Sequence, residues 1–161
     1  MGKIEIMKFE DAVAILWKKL CPASVMQLAS SVDNLVYLRT ISAIVYEDQN
    51  RIMFKTDMNF EKTKQLAINN NVAMCKSGVS LQGIATNLGL VVEEPGRRFE
   101  ALYEKYMKGS YNAYTHEDTE VLIAVEPTNV EIWDWDDEHY SYQIFINFAA
   151  KTAEKHWYDE H

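Results

Sequence analysis

The 161-residue chain has only two cysteines, Cys21 and Cys75, and no spacing that pairs them or places them among metal ligands. That excludes a disulfide framework and a thiolate metal site, and it leads to the expectation of two buried free thiols in a cytoplasmic protein. Cations are scarce as well. Sixteen Lys and Arg stand against 24 Asp and Glu, a formal net charge of -8 at pH 7. So acidic a chain lacks the basic face that nucleic acid or an anionic membrane requires, although a few local cations can still hold a small anion. No apolar run approaches the roughly 20 residues of a bilayer span. The opening segment MGKIEIMKFEDA lacks the apolar core of a signal peptide. A glycine-rich phosphate loop is also missing. His116, His139, His156 and His161 are scattered through loop and tail without metal-ligand spacing, so no metal is expected.

What is present suits one folded domain over residues 1–161, with 48% hydrophobic and 12% aromatic content to fill a single core. Phe9, Val13, Leu16, Trp17 and Leu20 recur at helical spacing and predict a helix over about 9–21, closed by Lys18 and Lys19 and stopped by Cys21-Pro22. β-branched and apolar runs predict strands at 24–30, 36–46, 51–56, 73–77, 80–87, 120–127 and 129–135, with residues 47–50 as a hairpin turn. Further helices are expected at 60–70 with Asn59 as N-cap, at 97–107, and over a tail at about 144–158. Residues 109–117 read as a polar loop. Short hairpin strands with a few helices give an α+β chain built on an antiparallel barrel of about six to seven strands.

The richest stretch is 36–66, VYLRTISAIVYEDQNRIMFKTDMNFEKTKQL. It reads as two strands joined by a polar turn, then a helix start. Arg39 leaves the first strand, Lys62 and Lys64 open the helix, and Phe54-Lys55-Thr56 ends the strand between them. A sheet edge and a helix N-terminus converging with fixed cations make an anion pocket, because free N–H groups and positive side chains both favour a phosphate.

This stretch resembles the FMN-binding split-barrel family of the pyridoxamine 5'-phosphate oxidases and the general stress proteins related to them. Thr56 and Lys62 fall where the family's Thr and Lys stand around the helix start. The segment 66–74, LAINNNVAM, is similar to its helix followed by NP-V-A, and Gly83 with Ala85 looks like its G-x-A strand. The resemblance implies a split barrel holding FMN at the interface of a homodimer. Arg39 and Lys62 would hold the phosphate, backbone groups of Thr40, Ile41 and Ser42 and of Lys55 and Thr56 would line the ring, and Trp133 would approach the flavin, often from the other subunit. Without the resemblance, Arg39 reads as a solvated strand arginine, the lysines as helix surface and Trp133 as a packing residue.

Two departures qualify what is implied. Phe60 and Glu61 stand where the family has Ser and Arg, so Glu61 must point away. Either phosphate binding is weakened or Lys64 or Lys55 supplies the missing charge. The segment 136–141, DDEHYS, is acidic where true pyridoxamine phosphate oxidases carry an Arg-x-His substrate clamp. A phosphorylated vitamin would be repelled there. The expected activity is therefore FMN-dependent reduction of a small electron-poor substrate, with no acid–base residue identified. The alternative is a stress-related protein of the same fold that holds a flavin, deazaflavin or haem without turnover.

Overall fold

A computed structural model describes residues 2–138 and 140–158. His139 and His161, two of the histidines weighed above, lie outside the described residues. Nine strands occur in chain order: β1 (Ile4–Met7), β2 (Ala23–Val32), β3 (Leu35–Tyr46), β4 (Arg51–Asp57), β5 (Asn71–Lys76), β6 (Val79–Leu90), β7 (Glu120–Trp135), β8 (Ser141–Asn147) and β9 (Thr152–Trp157). Four helices accompany them: α1 (Phe9–Leu20), α2 (Glu61–Ile68), α3 (Gly96–Tyr106) and α4 (Lys108–Ala113). Every pairing is antiparallel. The order β7-β4-β3-β2-β5-β6, with β6 returning to β7, closes a six-stranded barrel. β7 makes the closure possible because it is long. Its first half pairs with β4, while its second half pairs with β8, from which β9 and β1 continue as an open wing.

Alternation places every second side chain inside. Met26 and Leu28, Ile41, Ala43 and Val45, Ile52 and Phe54, and Val72 and Met74 fill the barrel. The apolar stripe of α1, Leu16, Trp17 and Leu20, packs on the same core. A second cluster forms outside the wall, where Phe99 and Tyr103 of α3 cover Ile44, Tyr46, Met53, Leu122 and Ala124. Covering both faces of β3 and β4 explains why their apolar residues run together rather than alternate. The β2–β3 hairpin turns on Asp33 and Asn34, both at positive φ (52° and 64°), the residue types a two-residue primed turn selects. Gly83 sits where β6 crosses β7. A Cβ there would lie 2.7 Å from Val125 Cγ1 and 2.8 Å from Glu126 O, so only glycine permits the close approach.

Several sequence expectations need correction. The tail at about 144–158 is not helical. It is β8 and β9, because Ile144, Ile146 and Ala153 are buried at strand spacing. The barrel itself has six strands, within the six to seven expected, and β8, β9 and β1, which pairs along β9, are added outside it. The strands expected at 120–127 and 129–135 are one, kinked where the register shifts opposite Gln82 and Gly83. The loop at 109–117 begins with α4. Phe60 rather than Asn59 occupies the N-cap of α2, since Asn59 is held in a turn by Asp57 Oδ1, 2.7 Å from its N–H. Cys75 is exposed, on the outward face of β5, and Cys21 is only partly buried. Among the described residues, no helix is long and apolar enough to cross a membrane.

Candidate functional site

The site begins where the barrel wall splits. β3 and β4 pair only through Ile44–Tyr46 and Arg51–Met53. Beyond that point β3 stays with β2 as far as Leu35, while β4 stays with β7 as far as Asp57. The two strands therefore diverge, and their facing edges carry N–H and C=O groups with no ladder partner. Thr40, Ile41 and Ser42 stand on one edge of this cleft, and Lys55 and Thr56 on the other.

α2 lies across the open end and ties the two edges together. Thr63 Oγ1 donates to the backbone oxygen of Asp57 at 2.6 Å on the β4 side. On the other side, Gln65 Oε1 accepts from Arg39 Nη2 at 2.6 Å and from Ser30 Oγ at 2.9 Å. Arg39 Nη1 also donates to Ser30 Oγ at 2.8 Å. Lys62, from the first turn of α2, has its ammonium 5.9 Å from the centre of the Phe60 ring and near enough to Arg39 for the two charges to repel. Burial, and then the neighbouring Arg39 charge, hold its ammonium below the usual lysine range, and burial likewise lowers Arg39. Among the described residues neither cation is paired with a carboxylate. The N-cap of α2 supplies no side-chain oxygen either, so the positive end of that helix adds to the same field. Two uncompensated, partly desolvated cations beside a helix N-terminus are built for an anion.

The other expected residues divide. Glu61 does point away, 79% exposed and paired with Lys64 at 3.0 Å, which also commits Lys64 to the surface. Lys55 cannot supply the missing charge. Its side chain is 7% exposed, and the ammonium lies 2.7 Å from Glu120 Oε2, 2.9 Å from Glu100 Oε1 and 2.8 Å from His116 Nδ1. Burial alone would lower it, but Glu120 and Glu100 outweigh that and hold it above the usual lysine range. Only its backbone faces the cleft edge. Ile41 sends its side chain into the barrel core, and Thr40 is exposed. Ser42 Oγ meets Ser110 Oγ of α4 at 3.0 Å. Trp133 stands apart within one chain. It is 49% exposed, stacks on Tyr158 at 5.0 Å, and its N–H bonds to Gly78 O.

Sequence reasoning missed Gln65 and Ser30. Gln65 follows Lys62 by three residues, the spacing that puts two side chains on one helix face, and that signal could have found it. It also missed that Glu100, His116 and Glu120 gather ligand atoms within 4.8 Å of one another. They come from α3, the loop after α4, and β7, so no local spacing announces them. The Lys55 ammonium already stands among them as the cation, and the cluster is closed upon itself.

No protein-family model and no curated protein matches the sequence. Solved structures do match its shape. A pyridoxamine 5'-phosphate oxidase-related, FMN binding protein from Nostoc punctiforme superposes with a TM-score of 0.61 at 14% identity, covering 96% of this chain and 98% of that one. The general stress protein 26 of Bacillus anthracis gives 0.56 at 14% identity over 77% and 92%. The chain has the fold of the pyridoxamine 5'-phosphate oxidase-like split barrels. A FAD-binding protein from Mesorhizobium loti shares this split-barrel likeness, with a TM-score of 0.55 at 11% identity over 94% and 97%.

Proposed function

We propose that this split-barrel chain is an FMN-binding oxidoreductase of the flavin reductase type, working as a homodimer on a small electron-poor substrate. The observation that carries the reading is that Arg39 and Lys62 are near enough to repel one another at the mouth of the cleft while, among the described residues, no carboxylate neutralises either. Arg39, Lys62 and the first amides of α2 hold the phosphate. The unpaired edges at Thr40–Ser42 and Lys55–Thr56 offer donors and acceptors to the polar rim of the ring. Bound FMN supplies the two-electron chemistry, and the protein's share is binding and orientation. That proteins of the same fold include an FMN binding protein and a FAD-binding protein supports a flavin as the occupant. A second copy completes the site. Leu35, Val36 and Leu38 on the β2–β3 hairpin are largely exposed, as is Trp133, and apolar groups of this size call for a cover.

One observation favours a second reading, in which a flavin, deazaflavin or haem is held without turnover. Among the residues expected to line the ring, the titratable side chain, Lys55, is turned from the cleft to Glu100, His116 and Glu120. A single experiment separates the readings. The protein as purified is examined by absorbance, titrated with FMN, treated with NADH or NADPH, and then given an electron acceptor. Flavin bands that bleach and return support the oxidoreductase, and bands that do not bleach support the binding protein. Protein that stays colourless after incubation with FMN overturns the oxidoreductase, and protein that also fails to take up a deazaflavin or haem overturns both.

A further inference from the structure

Among the described residues Arg39 is held by three neutral acceptors and no anion. Nη1 donates to Ser30 Oγ at 2.8 Å and to Leu28 O at 3.4 Å, and Nη2 donates to Gln65 Oε1 at 2.6 Å. A guanidinium has five N–H donors, so these bonds pin one edge of the fork and leave Nε–H and one Nη2–H for a ligand. The Gln65 side chain is buried, the residue being 8% exposed, and its oxygen takes both the arginine and the Ser30 hydroxyl at 2.9 Å. Because both neighbours donate, the group facing them must be the amide oxygen rather than the amide nitrogen.

We infer that Gln65 is the positioning residue of the anion site, a neutral clamp that aims the Arg39 guanidinium at the cleft without cancelling its charge. A glutamate could make the same two hydrogen bonds, but it would convert the contact into a partly buried ion pair and remove one of the site's two positive charges. The glutamine thus separates geometry from charge. It fixes the arginine as a carboxylate would, yet leaves the charge for a phosphate monoester. Lys62, on the same face of α2 one turn earlier, feels that uncompensated charge, which agrees with the clamp being electrically silent. The inference rests on the phosphate-binding reading above.

The test compares FMN with riboflavin, which shares the ring and lacks the phosphate, in fluorescence titrations of the wild type, Gln65→Glu and Gln65→Met. In the wild type FMN binds much more tightly than riboflavin. Gln65→Glu lowers FMN affinity by at least about tenfold, the worth of one charge-assisted contact, and leaves riboflavin affinity within about twofold. Gln65→Met removes the acceptor without adding charge and lowers FMN affinity less. Thermal unfolding without ligand shows Gln65→Glu to be at least as stable as the wild type, so its loss is not a failure to fold. A merely structural role would weaken both ligands together. A folded Gln65→Glu that keeps the wild-type preference for FMN overturns the clamp alone. A wild type with no preference for FMN over riboflavin overturns the phosphate site itself, and the clamp with it.

Discussion

Replacing Lys55 by methionine would remove the cation from the cage of Glu100, Glu120 and His116 while keeping most of the buried stem. Lys55 is 7% exposed at its side chain, and its two glutamates are 22% and 13% exposed. Glu100 Oε1 lies 2.9 Å from the ammonium as an ion pair and has no hydrogen-bond partner. Without Lys55, two carboxylates face each other under α3 with little water. Breaking a buried pair by removing one partner costs about 3–5 kcal/mol, and the residual exposure of the glutamates argues for the lower end. At about 3 kcal/mol a domain of this size loses roughly 6–12 °C in melting temperature. The assay is thermal unfolding at pH 7 without ligand. Adding Glu100→Gln and Glu120→Gln to the same variant should recover most of the loss, because neutral amides tolerate the site. The preference for FMN over riboflavin should not move, since the Lys55 charge is neutralised inside the cage. A melting temperature within about 2 °C of the wild type, or an FMN preference that collapses with Lys55→Met, would refute this account of the residue.

Gly83→Ala should cost about 1–3 kcal/mol in urea unfolding, because its Cβ would press on Val125 Cγ1 and Glu126 O across a crossing that cannot open. Lys62 has a lowered value in the folded state, so its charged form is penalised there below that value, and the penalty disappears as pH rises toward the ordinary lysine range. Ligand-free Lys62→Met should therefore be at least as stable as the wild type at pH 7, with the gap closing toward pH 10 and the order reversing at pH 7 once FMN is added. Melting curves across pH in the presence and absence of FMN check this. Burial, with Glu47 nearby, pushes the Cys21 thiol up to about 11, which leaves roughly one thiolate in a thousand at pH 8. Iodoacetamide followed by mass spectrometry should label exposed Cys75 well before Cys21.

The barrel was legible wherever one period governed the residues. α1 shows a 3.6-residue stripe, and β2 to β6 show alternation or β-branched runs with turn residues between them. The tail misled because Ile144, Phe145, Ile146, Phe148 and Trp157 are apolar at intervals that fit either period, and only pairing with β7 decides for strands. The strands expected at 120–127 and 129–135 are one because β7 continues past Pro127, with its register against β6 shifted there. Arg39, Thr56 and the residues at 40–42 lie on the diverging parts of β3 and β4, and Lys62 stands in the first turn of the helix that follows β4. What the sequence could not disclose is long-range. The tie from Gln65 across α2 to Ser30 and Arg39 and the cage that takes Lys55 out of play join residues 26 to 65 positions apart, and the divergence of β3 from β4 is set by their other partners, β2 and β7. Trp133 reaches the cleft only if a second copy brings it there.

Calorimetric titration of FMN and of riboflavin into the wild type and into a double variant carrying Arg39→Gln and Lys62→Gln tests the phosphate site most directly. Two charge-assisted contacts at about 1.5 kcal/mol or more each predict a loss of at least roughly a hundredfold in FMN affinity, with riboflavin binding unchanged. A double variant that binds FMN as tightly as the wild type would contradict the phosphate site.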